Sequence, residues 1–228
     1  MDYSKLEYYL SKPRLDRFLA ATGGSHSKAQ KLYRINLRVS QEFYPVLNLF
    51  EIFFRNSVYK KVAKYFSDPE WIINEKAGFM SDKSLSKSKY FLKKNVHKAE
   101  STIRRKGSVI TAGKVVAEQS LGFWTSLFDP HHYKLIGGSP ILSFPNKPAN
   151  ANRRLINQKL NKIREFRNRV YHNEPICFDN MQIDFSYSLH IEGEIYDLLR
   201  WIDSDLIVYV NYFNGIGSKI ELADKTLS

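Results

Sequence analysis

Apolar side chains recur every three or four positions along most of this chain, which is the spacing of one face of an α-helix. From Val46 onward they continue through Phe50, Phe53 and Val58 as a broad stripe that is expected to face a core. A short extended piece is expected only around residues 181–185. The pattern therefore predicts an all-α fold.

Residues that break helices divide this pattern into segments. Gly23-Gly24-Ser25 follows a predicted pair of N-terminal helices, and Ser67-Asp68-Pro69 closes the next stretch. Pro45 lies inside that stretch, where it either kinks one long helix or opens a second one. The helix predicted over 153–174 has Asn152 or a neighbour as its cap, and the helix predicted near 189–212 is acidic. The other predicted helices cover residues 5–10, 13–21, 29–66 and 121–128.

A chain of 228 residues is long enough for one sizeable core. We expect a single domain over residues 1–228 that contains an insertion. Its expected segments are N-terminal helices (1–67), a basic insertion (68–120), a central segment with the helix at 153–174 (121–176) and an acidic C-terminal helix (177–228).

The net charge of +12 is unevenly distributed. Residues 1–114 carry 23 basic and 10 acidic side chains, whereas residues 175–228 carry 3 basic and 9 acidic ones. Such asymmetry suits a polyanion bound by the basic part, with phosphate contacts that supply affinity. The alternative is that the positive charge serves solubility alone.

The strongest local positive charge lies at residues 81–106, which hold nine basic side chains against Asp82 and Glu100. Interleaved aromatic side chains are able to stack on unpaired bases, although their spacing equally fits the inward side of a surface helix. The residues predicted to bind RNA are Lys87, Lys94, Lys98, Arg104 and Arg105.

An arginine and a histidine stand close together at the end of the helix predicted over 153–174. Arg167 is followed by Asn168, and His172 comes one turn later. Arginine is always charged and stabilises charge on a phosphate, while histidine titrates near neutrality and moves protons. Because phosphodiester cleavage without a metal needs both functions, these three residues are the predicted catalytic group.

Helix geometry limits how this group works. On an ideal helix Arg167 and His172 point about 140° apart, so one regular helix does not present both side chains in parallel. Either the last turn unwinds before Pro175, or the working site is assembled from two chains.

Polar residues also interrupt the apolar helix of the N-terminal region. Asn48, Glu51 and Arg55 fall on one side of that helix, opposite the apolar stripe. A solvated ion pair between Glu51 and Arg55 would explain them, but the flanking apolar residues favour a partly buried position. Buried charges need partners, and Arg167 and His172 are the candidates.

Other features exclude several classes of protein. The single cysteine, Cys177, excludes an intramolecular disulfide, and the N-terminus lacks a signal-peptide pattern. The most apolar run is interrupted by Asn48 and Glu51, so no membrane segment is expected. His131 and His132 have no further ligand at a suitable spacing. We therefore expect a cytoplasmic protein with no metal and no cofactor.

Three stretches of the sequence, in order, resemble the Abi-like (abortive infection) family of the HEPN superfamily, which is named for nucleotide binding in higher eukaryotes and prokaryotes. Together they span residues 49–176, and the last is the most specific. The stretches are Leu49-Phe50-Glu51-Ile52-Phe53-Phe54-Arg55-Asn56, Leu121-Gly122-Phe123-Trp124-Thr125-Ser126-Leu127-Phe128 and the segment 163–176 with its Arg-Asn-x-x-x-His end.

The resemblance implies a HEPN-like helical bundle that dimerises through its motif helices and acts as a metal-independent endoribonuclease of phage defence or toxin type. His172 would then act as general base or acid, Arg167 would stabilise the charge on phosphorus, and Asn168 would orient one of them. The product would be a 2′,3′-cyclic phosphate. Glu51, Arg55 and Asn56 correspond to the polar positions of the family's first helix.

The implied partners are RNA, a second copy of the chain, and a neutralising antitoxin or a phage trigger. Glu174 departs from the His-x-Tyr pattern of HEPN toxins that are paired with an adenylyltransferase, so that mode of control loses support.

Two alternatives stay open. The chain is a non-catalytic module that binds RNA or a nucleotide, or Arg167 forms an interface salt bridge and His172 is a helix-end histidine that suits the helix dipole.

Overall fold

The structure is a computed structural model that describes the backbone of residues 2–227 and the side chains of residues 2–223. Within these residues it contains twelve α-helices, three short 3-10 helices and one antiparallel hairpin, which confirms the all-α prediction. The helices are α1 (Tyr3–Leu10), α2 (Lys12–Ala21), α3 (His26–Phe66), α4 (Trp71–Asn74), α5 (Phe91–Arg105), α6 (Ala112–Glu118), α7 (Leu121–Ser126), α8 (Pro130–Leu135), α9 (Arg153–Tyr171), α10 (Ser186–Ile202), α11 (Asp205–Asn211) and α12 (Ile216–Leu227). The 3-10 helices are Phe79–Ser81, Lys83–Ser88 and Ser139–Ser143, and the hairpin pairs β1 (Phe178–Asp179) with β2 (Gln182–Ile183).

Short polar side chains begin several helices. Before α1, Asp2 accepts a hydrogen bond of 2.9 Å from the backbone N–H of Lys5. Before α9, Asn152 accepts one of 3.1 Å from the backbone N–H of Leu155, which confirms the predicted cap. Each cap satisfies one of the N–H groups that a helix start leaves without an intrahelical partner.

The long helix α3 runs without interruption through Pro45. Of the two predicted alternatives for this stretch, the single helix is therefore the one observed. Of the predicted apolar stripe, Val46, Phe50 and Val58 are fully buried, but Phe53 is only half-buried, because its neighbour Phe54 turns towards the core instead. The helix ends before Ser67, which takes a left-handed conformation (φ 52). Among the described helices, none combines the length and the apolarity needed to cross a membrane. The stripe that is buried in the folded helix comprises Val46, Phe50, Phe54, Val58 and Val62.

The described residues form two compact units, each built from separate stretches of the chain. Unit 1 takes the residues up to Leu49, Glu165–Tyr196 and the residues from Val208 onward. Unit 2 takes Phe50–Arg164 and Asp197–Ile207. The helices α3, α9, α10 and α11 contribute residues to both units, so neither unit corresponds to one continuous segment of the sequence.

Aromatic rings fill the core of unit 1. Phe43 and Phe166 are fully buried, and their ring centroids lie 4.8 Å apart. Phe18 of α2 packs on Phe178 of the hairpin at 5.2 Å. Burial of each such ring is worth about 1.5–3 kcal/mol, so these contacts fix α2, α3, α9 and the hairpin within the unit.

Unit 2 has an aromatic core of its own. Phe54 of α3 contacts Phe128 and Phe144, with ring centroids about 6 Å apart in both pairs, and Trp71 contacts Trp124 edge to face at 6.5 Å. The segment 121–128 supplies Trp124 and Phe128, which confirms the prediction of a short buried helix there.

The segment after Cys177 contains the predicted extended piece, as strand β2 of the hairpin, but it lacks the single acidic helix that the sequence predicts. It contains the hairpin and three helices, α10, α11 and α12. A short polar side chain stands two residues before each of the last two helices and accepts a hydrogen bond from the first N–H of that helix. Asp203 accepts a hydrogen bond of 3.0 Å from the N–H of Asp205, and Asn214 accepts one of 3.0 Å from the N–H of Ile216.

Candidate functional site

The end of α9 is held by a regular cap. Beyond Tyr171 the N–H of Asn173 donates to the carbonyl of Val170 at 3.1 Å, and the N–H of Glu174 donates to that of Arg169 at 2.8 Å. Asn173 lies in the left-handed region with φ 54. This pair of bonds is the Schellman motif, and it ends α9 three residues before the expected position.

Packing anchors the last turns of α9 in unit 1. Phe166 is fully buried between Phe43 and Tyr187, whose ring centroid lies 6.1 Å away. Because a buried side chain fixes the rotation of its helix, the neighbouring positions 167, 168 and 172 have defined directions. The buried face of α9 comprises Ile156, Leu160, Ile163, Phe166 and Val170, as the sequence predicts.

The chain that follows His172 is also fixed. Arg14 of α2 donates a hydrogen bond of 3.0 Å to the carbonyl of Asn173. The N–H of Ile176 donates to the side chain of Asn36 at 2.8 Å, and the hydroxyl of Ser188 donates to the carbonyl of Ile176 at 2.9 Å. Three helices of unit 1 therefore hold the backbone on the C-terminal side of the predicted catalytic histidine.

Arg167 lies against an aromatic pair. It is half-buried, and its guanidinium carbon is 4.0 Å from the centroid of the Tyr171 ring, one turn along α9. Tyr171 in turn contacts Tyr44 of α3, with ring centroids 5.0 Å apart. A cation over an aromatic face is attracted by the ring quadrupole, which holds the guanidinium in place.

Asn168 and His172 occupy a different face of α9 and are both exposed. The N–H of His172 still donates to the carbonyl of Asn168 at 2.9 Å, so the last turn is helical up to the histidine. The turn does not unwind. Within one chain, Asn168 and His172 are therefore neighbours, whereas Arg167 points away from them.

A groove of about 320 Å³ opens in unit 1 beside the ring of Tyr171, which contacts the guanidinium of Arg167. Its walls include three aromatic side chains, Tyr44, Tyr171 and Phe213, and they also include Pro45, Asn48 and Leu49. Aromatic rings of this kind are surfaces on which nucleobases stack. The groove thus places a potential base-binding surface next to a potential phosphate-binding cation.

Three polar positions of the early helix, Glu51, Arg55 and Asn56, belong to unit 2, whereas Asn48 and the predicted catalytic residues belong to unit 1. Glu51 and Arg55 are half-buried and Asn56 is exposed. The Nε of Arg55 is buried and has no hydrogen-bond partner among the described residues. Their predicted role in orienting the catalytic residues stays a prediction.

The five residues predicted to bind RNA are all exposed in unit 2. Lys94, Lys98 and Arg105 follow one another along the outer face of α5, with Arg104 beside them. The inner face of α5 is buried, and it holds Glu100, which is paired with Lys76. Because this acidic side chain is buried and neutralised, the outer face carries mainly positive charge. Lys87 lies in the 3-10 helix Lys83–Ser88.

The histidine pair after α7 has a structural explanation. His132 is 4% exposed, and its Nδ1 is 2.9 Å from the carbonyl of Ser126. Burial lowers the pKa of His132, against smaller opposing effects of this hydrogen bond and of Asp129. No cluster of three or more potential metal ligands occurs in the part of the chain that the structure describes.

Comparison with known proteins identifies no relative of this chain. No family model, no curated sequence and no solved structure matches this chain. The resemblance to the Abi-like family therefore rests on the three sequence stretches alone.

Sequence reasoning missed the aromatic groove of unit 1. Tyr171 lies four residues after Arg167 on the predicted helix, and this spacing, at which side chains are neighbours, is the signal that would have indicated their contact. Phe213 stands 42 positions further along the chain, so only the folded structure shows it beside Tyr44 and Tyr171.

Proposed function

We propose that this protein is a metal-independent endoribonuclease of phage-defence or toxin type. His172 exchanges protons with the substrate, Arg167 stabilises negative charge on the phosphoryl group, and Asn168 orients the histidine or the phosphate. The substrate is RNA, because the chemistry uses a ribose 2′-hydroxyl as its nucleophile.

The arrangement at the end of α9 carries this proposal. His172 and Asn168 are exposed side by side at a helix end that the Schellman cap and the buried Phe166 fix in position. Arg167 is held on Tyr171, whose ring also lines the aromatic groove. A cation and a proton carrier serve the cleavage of RNA, and a stacking surface serves its recognition.

The reaction follows from these groups. The imidazole of one His172 accepts the proton of the 2′-hydroxyl, and the 2′-oxygen forms a bond to phosphorus. The bond from phosphorus to the 5′-oxygen breaks, and that oxygen receives a proton from a protonated histidine. The products are a 2′,3′-cyclic phosphate and a free 5′-hydroxyl.

Two copies of the chain are part of the proposal. Because α9 stays helical up to His172, one chain does not present Arg167 and His172 side by side. Two α9 helices that meet around a symmetry axis would bring Arg167 of one copy towards His172 of the other. They would also supply two histidines, one as base and one as acid.

The test is incubation of purified protein with total cellular RNA in EDTA, followed by sequencing and analysis of the new ends. We expect cleavage with 2′,3′-cyclic phosphate ends by the wild type and none by His172→Ala. His131→Ala is the matched control, because His131 is also an exposed histidine but lies in unit 2. Cleavage that survives in His172→Ala at undiminished rate contradicts the proposal.

A second candidate is a non-catalytic module that binds RNA or a nucleotide. The position of Arg167 favours it, because in a single chain the guanidinium lies on Tyr171 and away from His172. The exposed positive face of α5 would supply affinity in either case. Tight RNA binding by the wild type without strand scission, in the presence and absence of divalent metal, would select this candidate.

A further inference from the structure

A second cavity, of about 590 Å³, lies within unit 2. The last turns of α3 form one wall, and the segment from Gly137 to Lys147, which includes the 3-10 helix Ser139–Ser143, forms the other. Its volume is within the range of about 300–1,000 Å³ that is usual for sites of small ligands and cofactors.

Three lysines line this cavity. Lys61 and Lys64 come from successive positions on one face of α3, and Lys147 comes from the opposite wall. No carboxylate is among the described residues that line the cavity. Ammonium groups that line one cavity without an acidic neighbour repel one another, and a bound anion relieves that repulsion. Lysine binds phosphate as a point charge.

The remainder of the lining is mainly apolar. Ile141, Leu142, Phe144 and Pro145 contribute to one wall, and Leu142 is 59% exposed. The ring of Tyr65, which is 49% exposed, stands on the same side as the lysines of α3. An aromatic ring and exposed apolar side chains beside a group of cations suit a ligand with a flat ring at one end and phosphate at the other.

The backbone around the cavity is fixed. Gly137 has φ 58, and a Cβ at this position would lie 2.5 Å from the ring of Tyr65, so the ring rests directly on the glycine. The N–H of Phe144 donates to the carbonyl of Ile141 at 3.0 Å, and the N–H of Asn146 donates to that of Trp201 at 3.0 Å. The walls are therefore formed before any ligand binds, which lowers the entropic cost of binding.

A buried hydroxyl also lacks a protein partner. Ser139 lines the cavity and is 3% exposed, and its Oγ has no hydrogen-bond partner among the described residues. A buried polar group without a partner is costly and calls for an explanation. A ligand oxygen that accepts a hydrogen bond from this hydroxyl would remove the cost.

We propose that this cavity binds a phosphorylated nucleoside. Its phosphates contact Lys61, Lys64 and Lys147, and its base lies against Tyr65 and the apolar wall. The site belongs to unit 2 and does not involve Arg167, Asn168 or His172. It stands whether or not the protein cleaves RNA.

The test is calorimetric titration of the full chain with each of the four ribonucleoside triphosphates, with the free nucleosides and inorganic tripolyphosphate as comparators. We expect at least one triphosphate to bind at least about tenfold more tightly than its nucleoside and than tripolyphosphate. Lys64→Gln/Lys147→Gln should lose at least tenfold in affinity. Lys28→Gln, which removes an exposed lysine of unit 1, should not. Absence of binding, or equal affinity in the double variant, overturns the site.

Two further measurements make the test specific. Ser139→Ala should weaken binding severalfold without lowering the melting temperature, because its hydroxyl has no protein partner to lose; a purely structural hydroxyl would give the opposite result. Competition by a 5′-phosphorylated oligoribonucleotide would identify the end of an RNA as the source of the nucleotide, and lack of competition would identify a free nucleotide. His172→Ala should bind the triphosphate as the wild type does.

Discussion

The guanidinium of Arg167 lies 4.0 Å from the centroid of the Tyr171 ring, one turn before the end of α9. The same ring contacts Tyr44 and lines the aromatic groove of unit 1. Tyr171 therefore links the proposed phosphate-binding cation to the proposed base-binding surface. In the proposed enzyme it is a positioning residue that acts through Arg167.

Removal of the Tyr171 ring should impair cleavage more than it impairs folding. A cation over an aromatic face is worth about 0.5–2 kcal/mol, so Tyr171→Leu should lower kcat by about 2- to 30-fold. Tyr171→Phe keeps the ring and should retain most of the activity. The measurement is single-turnover cleavage together with thermal unfolding of both variants. Equal activity of the Leu and Phe variants would show that the ring does not position Arg167.

Neutralising the outer face of α5 should weaken RNA binding and reduce its dependence on salt. In single-stranded RNA each lost phosphate contact lowers the slope of log K against log salt by about 0.7, so Lys94→Gln/Lys98→Gln/Arg105→Gln should lower it by about 2. Filter binding at several salt concentrations measures both effects. Lys28→Gln provides a control on the exposed charge of unit 1, and an unchanged slope in the triple variant would remove α5 from the RNA interface.

The thiol of Cys177 should be nearly inert in the folded protein. Cys177 is 0% exposed, and burial raises its pKa from 9.0 to about 12. At pH 8 the thiolate fraction is therefore about a thousandfold smaller than for an ordinary cysteine, and thiolate is the reactive form. Alkylation by iodoacetamide should therefore be at least about a thousandfold slower in buffer than in concentrated urea at the same pH. Comparable rates would show that the hairpin region of unit 1 opens readily.

The folded state should lose stability in mild acid because of His132. Burial lowers the pKa of this imidazole below its ordinary value of 6.5, so the unfolded state binds more protons as pH falls. The contribution of the neutral His132 to the free energy of unfolding is complete above pH 6.5, and it declines as the pH falls below that value towards the lowered pKa.

Urea unfolding of the wild type, His132→Asn and the exposed control His131→Asn at pH 7.5 and 5.5 would measure this effect. His132→Asn keeps a donor towards the carbonyl of Ser126 without a titrating group, so it should lose less stability on acidification than the other two. An identical loss in all three proteins would assign the acid sensitivity to other groups.

The sequence pattern was sufficient to predict those features that depend on interactions between residues close together in the chain. The helical repeat of apolar residues predicted the buried face of α9 from Ile156 to Val170, because a helix and its buried side are encoded within a few turns. The cap at Asn152 was predictable for the same reason. The earlier end of α9 was not, since left-handed Asn173 closes the helix before the proline that the sequence marks as a stop.

The sequence by itself determined an all-α fold, a basic first half, and an arginine, an asparagine and a histidine at the end of one helix. Only the tertiary structure decided which parts of the chain join each compact unit, because long helices pass through both. It also decided that Arg167 lies on Tyr171, that Phe213 completes the groove, and that three lysines line a cavity with Tyr65. The groove and the cavity join residues far apart in sequence, and their distances depend on packing that no local pattern encodes.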